Sequence, residues 1–405
     1  MRTPCFRLLL ALTLASTAPA AEAPAPPEIA EISRRVQEIR GLEFKEPVPV
    51  EVVGQDAARA YAERRLARFT SPAALAAEDH LYHVLGLLPA SISLGEAYLD
   101  AVMGAAAGFY DPERKEFFLL DDLRGAAGSI FAAHELTHAL EDQHYDLDAR
   151  IEASMEDADL AFAGMALHEG SASLVMTIYT ERALAEGWLQ RTDLEALATS
   201  DAARGEKVAA LPPLLRRQLL GAYVLGMGFL LRGQPAQREI EFPREDAERC
   251  FRDGPRSSEQ ILHPEKFWDP ARRDPPRRVE LRASPVLAAE GFTLGGEGTL
   301  GELLLGPLVG APTPRTWAPS ALAAREWTNE AASGWGGDRW QLWTRGSDAV
   351  VVLATVWDTQ SDAREFADAL PRRDDLRWKR SGGVVALVAG LRDERLARRV
   401  LRSVR

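Results

Sequence analysis

Residues 132–147, AAHELTHALEDQHYDL, place His134, Glu135 and His138 in the order His-Glu-x-x-His. An α-helix advances by about 100° per residue, so two histidines four positions apart lie on one face and both imidazoles can reach one metal ion. Glu135 follows the first histidine directly, which puts its carboxylate beside such an ion, where it can accept a proton from water. The stretch therefore predicts a zinc-binding helix of the hydrolytic type.

The composition around the motif favours a helix. Ser129 is the expected N-cap, and alanine or leucine stands at positions 132, 133, 136, 139 and 140. Neither Pro nor Gly occurs between residues 129 and 147. The alternative is a solvated helix face on which two histidines occur by chance.

The chain has 405 residues, of which 46% are hydrophobic and 27% charged, a composition typical of globular proteins. Its formal net charge of −12 argues against nucleic acid and against an anionic membrane surface as partners. No stretch after the N-terminus has the length and apolar character that a membrane span needs.

Residues 1–20 have the pattern of a secretory signal peptide, because two arginines precede an apolar run at residues 8–15 and alanines stand at positions 18 and 20. Residues 21–28, AEAPAPPE, predict a flexible tether. We therefore expect export to the periplasm or the medium; the alternative is an ordinary apolar N-terminal helix. Cleavage would remove Cys5 and leave Cys250 alone, so no intramolecular disulfide is expected.

The segment before the motif helix, residues 105–120, predicts two short strands around a turn at Asp111-Pro112-Glu113. Such a hairpin would let an extended substrate add as a further strand beside the metal. The alternative is a hairpin that only covers the helix. Turn and strand signals do not separate the two.

A catalytic zinc site usually has three protein ligands and an open position. Residues 155–187 predict a long helix with His168 and Glu169 at its centre, and its small residues, such as Gly164 and Gly170, would let it lie close against the first helix. Neighbouring residues on a helix diverge by about 100°, so only one of His168 and Glu169 can face the ion.

The HELTH motif with a downstream Glu in a small-residue helix resembles the gluzincin metallopeptidases, in which two histidines and a glutamate bind zinc. The resemblance implies that His134, His138 and Glu169 are zinc ligands and that Glu135 is the general base. A group of bacterial proteins with HELTHALQDQ-type motifs is similar in five phrases between residues 108 and 340: GFYDP, HELTHALEDQHYDL, HEGSA, SSEQILHPEKF and GWGGDRW.

Three further residues are candidates for supporting roles. His263 and Tyr110 are candidate donors to the oxyanion that develops in the transition state, since His or Tyr often supplies this hydrogen bond. Asp142 is a candidate acceptor that orients a ligand imidazole. The alternative for His263 and Tyr110 is a structural role, and for Asp142 a solvated position.

The pattern changes from residue 338 onward to β-β-α-β-β-α, a compact α/β module. We divide the mature chain into a mainly helical, zincin-like catalytic domain with a small sheet at residues 29–268, a linker and helix at 269–315, and the α/β module at 316–405. The predicted fold class is α+β.

Together these patterns predict an exported zinc metallopeptidase that acts on a peptide or protein substrate. The alternative from another class is a non-catalytic envelope protein for binding or assembly, which would keep its zinc site for folding.

Overall fold

A computed structural model describes residues 27–105, 108–120, 125–155, 157–233, 240–316 and 319–404. The predicted signal peptide and most of the predicted tether lie outside these residues. Helix α1 already begins at Pro27, so the last tether positions belong to a helix. Within the described part of the chain, no helix combines the length and the apolar character needed to cross a bilayer.

The first part of the chain is mainly helical. Its elements are α1 (Pro27–Arg40), β1 (Val50–Val53), α2 (Gln55–Phe69), α3 (Pro72–Leu85), α4 (Leu94–Ala105), β2 (Gly108–Asp111), β3 (Glu116–Leu120), α5 (Gly125–Tyr145), α6 (Leu147–Ser154), α7 (Ala158–Glu186), α8 (Arg191–Ala210), α9 (Pro213–Leu230), α10 (Arg244–Arg252), α11 (Ser258–Leu262) and α12 (Glu265–Trp268).

The second part carries most of the strands. Its elements are α13 (Pro285–Ala289), β4 (Thr293–Gly298), α14 (Gly301–Leu305), β5 (Trp335–Arg345), β6 (Asp348–Trp357), α15 (Gln360–Ala369), β7 (Leu376–Ser381), β8 (Val384–Ala389) and α16 (Glu394–Ser403), with short 3-10 helices at Gly306–Val309, Pro319–Leu322 and Ala324–Glu326. Helices and mainly antiparallel strands are segregated along the chain, which confirms the predicted α+β class.

The motif helix α5 begins earlier than its composition indicates. It starts at Gly125, so Ser129, which the sequence predicts as the N-cap, lies inside the helix instead. The helix ends where Asp146 adopts a left-handed conformation with φ 52°, and the Asp146 side chain then accepts a hydrogen bond from Ala149 N as the N-cap of α6.

Helix α7 is capped at both ends by its own sequence. The Asp157 side chain accepts hydrogen bonds from the first free amides, and Gly187 ends the helix in a left-handed conformation with φ 78°. These caps leave a long, mostly buried helix whose middle carries Glu169.

The sequence predicts that small residues let α7 lie close against α5, and in the structure they also allow a close approach of α7 to α9. A Cβ on Gly170 would lie 2.2 Å from Gly226 C, and a Cβ on Gly226 would lie 1.8 Å from the Ala166 carbonyl oxygen. Gly164, in contrast, has open space around its Cβ position. The contact between the two helices is therefore made by backbone at Gly170 and Gly226.

A three-stranded sheet with the order β1-β3-β2 lies beside α5. The predicted hairpin is present, since β2 pairs antiparallel with β3. Strand β1 pairs parallel with β3, and the connection between them runs through α2, α3 and α4. This parallel pairing was not predicted, because it depends on how a long crossover packs.

The C-terminal sheet has the order β4-β5-β6-β8-β7, and all its neighbours are antiparallel. The predicted β-β-α-β-β-α order is observed from β5 to α16. One correction concerns the predicted linker at 269–315, which contributes β4 as an edge strand of this sheet. Glycine-rich Thr293–Gly298 carries few residues typical of strands, so its pairing was not apparent locally.

The largest hydrophobic core runs across both parts of the chain. It includes Leu81 of α3 and Leu136 of α5 together with Trp340 of β5 and Leu353 of β6. A second core lies between the other face of the C-terminal sheet and α16. The boundary predicted at residues 269–315 therefore does not coincide with a break in the main core.

Replacing Gly226 by Ala should destabilise the protein by at least about 1–3 kcal/mol, because the new methyl group would overlap the Ala166 carbonyl and force α7 and α9 apart. Chemical denaturation measures the change. The matched control is Gly164→Ala in α7, where the methyl group meets open space and helix propensity favours Ala by up to about 1 kcal/mol. Equal stabilities of the two variants would contradict the close helix contact.

Candidate metal centre

Three side chains converge between α5 and α7. His134 Nε2 lies 3.1 Å from His138 Nε2 and 3.2 Å from Glu169 Oε2. His138 Nε2 lies 3.6 Å from the same carboxylate oxygen. Among the residues that the structure describes, these three form one of two groups whose donor atoms are close enough together to hold a metal ion.

The distances suit a tetrahedral zinc ion. Zinc bonds to imidazole nitrogen and carboxylate oxygen are about 2.0–2.2 Å long, so two tetrahedral ligand atoms lie about 3.3–3.6 Å apart. The three contacts, at 3.1, 3.2 and 3.6 Å, fall close to this range. The donor set of two imidazoles and one carboxylate is also one that catalytic zinc sites use.

Hydrogen bonds alone do not account for this triangle of contacts. Each imidazole Nε2 carries at most one proton. If both Nε2 atoms are protonated, the contact between His134 and His138 has no acceptor. If only one Nε2 atom is protonated, the other imidazole has no proton to donate to the Glu169 carboxylate. A shared cation satisfies all three contacts at once, so the residues present fit a metal ion.

The secondary structure explains why these atoms meet. His134 and His138 are one helical turn apart on α5, with ring centroids 4.7 Å apart and planes at 85°. Glu169 comes from the middle of α7, which packs against α5. Burial would lower the pKa of His138, but the carboxylates of Glu169, Glu135 and Glu141 together outweigh burial and raise it to about 9. The same imidazoles hold the pKa of Glu169 well below its ordinary value in spite of its burial.

The cluster is partly accessible to solvent. The side chains of His134, His138 and Glu169 keep 7%, 13% and 17% of their full exposure, so access increases towards Glu169. A structural zinc site is normally closed by four protein ligands, whereas a catalytic site has three and an open position. Among the described residues, three donor side chains converge here, which is the number that a catalytic site uses.

Glu135 lies beside the cluster and is held by the hairpin. Its Oε2 accepts a hydrogen bond from the backbone N–H of Tyr110 at 2.9 Å. Burial raises the pKa of Glu135, the two imidazoles lower it, and the Glu169 carboxylate raises it, with a net increase. A carboxylate with a raised pKa is suited to accept and return a proton.

His168, the alternative third ligand, faces away from the cluster. Its ring lies 5.3 Å from the Phe251 ring, at 55° to it. Burial, together with the nearby His138, lowers the pKa of His168 to about 3, so its imidazole is neutral. Of the two candidates, the structure brings Glu169 to the histidines.

Tyr110 and Asp142 do not take the positions predicted for them. The Tyr110 hydroxyl donates to Asp142 Oδ2 at 2.7 Å, and Lys115 Nζ donates to the same oxygen at 2.8 Å. Asp142 Oδ1 accepts from Leu147 N. Asp142 thus binds the hairpin and the next helix rather than an imidazole, and the Tyr110 hydroxyl is committed to Asp142 rather than directed at the metal centre.

His263, the other candidate oxyanion donor, is bonded to the second part of the chain. Its Nε2 lies 3.0 Å from Glu302 Oε1, which also accepts a hydrogen bond from the Thr328 hydroxyl at 2.5 Å. Both partners come from the second part of the chain, so His263 joins α11 to α14 and the segment before β5. A structural role accounts for it.

The structure supports the alternative in which the hairpin covers the motif helix and does not offer β2 as an open edge to substrate. All four residues of β2 are buried, and the outward-facing amide of Tyr110 is bonded to Glu135. The open edge of this sheet is β1, where Val52 keeps 53% exposure. β2 therefore packs along α5 and holds its residues in place.

A buried ion pair is formed by Glu141, which lies about one turn beyond His138 on nearly the same face of α5. Arg40 Nε donates to Glu141 Oε1 at 2.6 Å, and the Ser171 hydroxyl donates to the same oxygen at 2.5 Å. Both Arg40 and Glu141 are fully buried. The three residues belong to α1, α5 and α7, so the pair ties the two metal-centre helices to the N-terminal helix.

Tyr223 of α9 was missed by sequence analysis. Its ring stacks on His134 with centroids 5.7 Å apart and planes at 21°, and its hydroxyl lies near the Glu169 carboxylate. Burial and the Glu169 and Glu135 carboxylates raise its pKa well above the ordinary value, so the phenol keeps its proton. The strongly apolar surroundings in α9 indicated only a core helix, and no local signal points to a metal centre.

The other acidic group, Glu259, Asp274 and Asp358, already surrounds a cation, the Lys266 ammonium group. Lys266 Nζ lies 2.6, 2.9 and 2.6 Å from their respective carboxylate oxygens. An ammonium group in the centre of the three acids leaves no place for a metal ion. This cluster links α11 and α12 to the end of β6.

Residues 291–398 match the model of a family described as a domain of unknown function (DUF8575). This segment contains β4 to β8 with α15 and lies after all the residues of the metal centre. The match therefore covers the C-terminal sheet and carries no information on the candidate metal centre. No match was found among curated proteins or among solved structures.

Glu169→Ala should lose bound zinc, because two imidazoles remain as ligands, whereas His168→Ala should retain it, because that ring faces Phe251. Zinc content after dialysis, measured by atomic emission, checks both variants. If Glu169→Ala kept its zinc and His168→Ala lost it, His168 would be the third ligand.

Proposed function

We propose that the chain is an exported zinc metallopeptidase of the gluzincin type, which hydrolyses peptide bonds in a peptide or protein substrate. The observation that carries the proposal is the solvent-accessible convergence of His134, His138 and Glu169, with Glu135 beside it. Export rests on the signal-peptide pattern of residues 1–20.

A zinc ion held by these three residues would supply Lewis acidity towards a water molecule and the scissile carbonyl. Glu135 is the group that moves the proton. Its Oε2 is occupied by the Tyr110 amide, so Oε1 accepts the proton from water and delivers it to the leaving nitrogen. The Tyr110 amide keeps the carboxylate in one orientation during both transfers.

The hairpin supports this role through a second bond. Asp142 holds the Tyr110 hydroxyl and Lys115, which fixes β2 along α5. Because the same residue, Tyr110, is bound through its side chain to Asp142 and through its backbone to Glu135, the position of the general base depends on the hairpin.

A non-catalytic, zinc-stabilised envelope protein is the alternative. It is less well supported, because a site kept only for folding is normally closed by a fourth protein ligand. The partial exposure of Glu169 and the placement of Glu135 instead suit chemistry on a molecule that enters from solvent.

Glu135→Gln should retain zinc and reduce peptide hydrolysis by at least about 10²–10⁴-fold, because the amide cannot accept the proton. Cleavage of a quenched fluorescent peptide library, with zinc content measured in parallel, tests this. The matched control is Glu152→Gln, the same substitution at an exposed position of α6, which should keep full activity. Full activity of Glu135→Gln would contradict the mechanism.

Removal of zinc by a chelator should abolish hydrolysis and leave the helical fold in place, because the core around α5, α7 and α9 is packed independently of the ion. Far-ultraviolet circular dichroism and the peptide assay, before and after zinc is restored, give both readouts. If chelation unfolds the protein and the zinc form cuts no peptide, the envelope-protein alternative is correct.

A further inference from the structure

Tyr223 is placed at the metal centre by the same helix contact that places Glu169. Tyr223 and Gly226 are three residues apart and share a face of α9. Gly226 touches the backbone of α7 at Ala166 and Gly170, and Gly170 is the neighbour of Glu169. The close approach of the two helices therefore brings the phenol to the carboxylate.

The side chain of Tyr223 meets two of the three converging residues. Its ring lies nearly parallel to the His134 imidazole, with centroids 5.7 Å apart, and its hydroxyl lies near enough to the Glu169 carboxylate for that group to raise the pKa of the phenol. His134 comes from α5 and Glu169 from α7, so a single residue of a third helix supports donors from both. Tyr223 is half-buried.

Glu169 needs such support more than the histidines do. Its side chain has three rotatable bonds, and its carboxylate is the most exposed group of the three. A hydrogen bond to one carboxylate oxygen restricts these rotations before an ion arrives. Groups that orient metal ligands in this way typically contribute about 10–100-fold to metal affinity.

We propose that Tyr223 is a positioning residue of the zinc site, whose hydroxyl fixes Glu169 as the third ligand while its ring supports His134. This inference rests on the proposed zinc site but concerns a residue outside the ligand set. It assigns the hydroxyl to ligand geometry, and not to a direct contact with the substrate carbonyl.

Tyr223→Phe removes the hydroxyl and keeps the ring. We expect its zinc affinity, measured by competition with a chromophoric chelator, to fall by about 10–100-fold. Its cobalt-substituted form should show an altered visible spectrum, because a loosely held carboxylate changes the coordination geometry. The thermal midpoint of the metal-free variant should stay close to that of the metal-free parent, which separates a positioning effect from a loss of fold.

Tyr179→Phe is the matched control. Tyr179 is a buried tyrosine of α7 whose ring packs against Trp188, about 15 Å along the helix axis from Glu169. This variant should keep the parental zinc affinity and cobalt spectrum.

Parental zinc affinity and cobalt spectrum in Tyr223→Phe would overturn the inference and leave the proposed function intact. Unchanged affinity with a lowered kcat would also overturn it, because the hydroxyl would then act on the substrate. Failure of the parent protein to bind zinc would overturn both the inference and the proposed function.

Discussion

Helices α7 and α9 meet backbone to backbone at Gly170 and Gly226, and the position of the candidate metal centre depends on this contact. A methyl group on either glycine would overlap the other helix. Glu169 precedes Gly170, and Tyr223 lies one turn before Gly226. Because neither glycine has a side chain, the two helices come close enough for the Glu169 and Tyr223 side chains to reach the same cluster. Two small residues thus determine where a carboxylate and a phenol lie.

Helix α5 is held by charged and polar groups on two sides. Arg40 and Ser171 bind Glu141 on one side, and Tyr110 binds Glu135 and Asp142 on the other. Glu135 and Asp142 are seven residues apart, about 10 Å along the helix axis, so the hairpin is attached over two turns. Removing one partner of a buried ion pair lowers the free energy of unfolding by more than an exposed ion pair contributes to it. These bonds therefore resist rotation of the helix that carries both histidines.

The sequence predicted what depends on local periodicity. The His-Glu-x-x-His spacing predicted which side chains share a face of α5, and alternating patterns predicted the hairpin and the C-terminal β-β-α-β-β-α order. Glu169 was nominated from a resemblance, because spacing alone left His168 open. The errors at His263, Asp142 and Tyr110 and the omission of Tyr223 have one cause: each of these side chains is bonded to a residue distant in sequence, and packing rather than local pattern decides those partners.

We propose that zinc is bound by His134, His138 and Glu169 with one position open. Anomalous diffraction at the zinc edge from crystals of the zinc-loaded protein tests it directly. The account predicts one strong peak, about 2.0–2.2 Å from the two Nε2 atoms and from a Glu169 oxygen, with no fourth protein ligand. A peak elsewhere, no peak between the three residues, or a fourth protein ligand would contradict it.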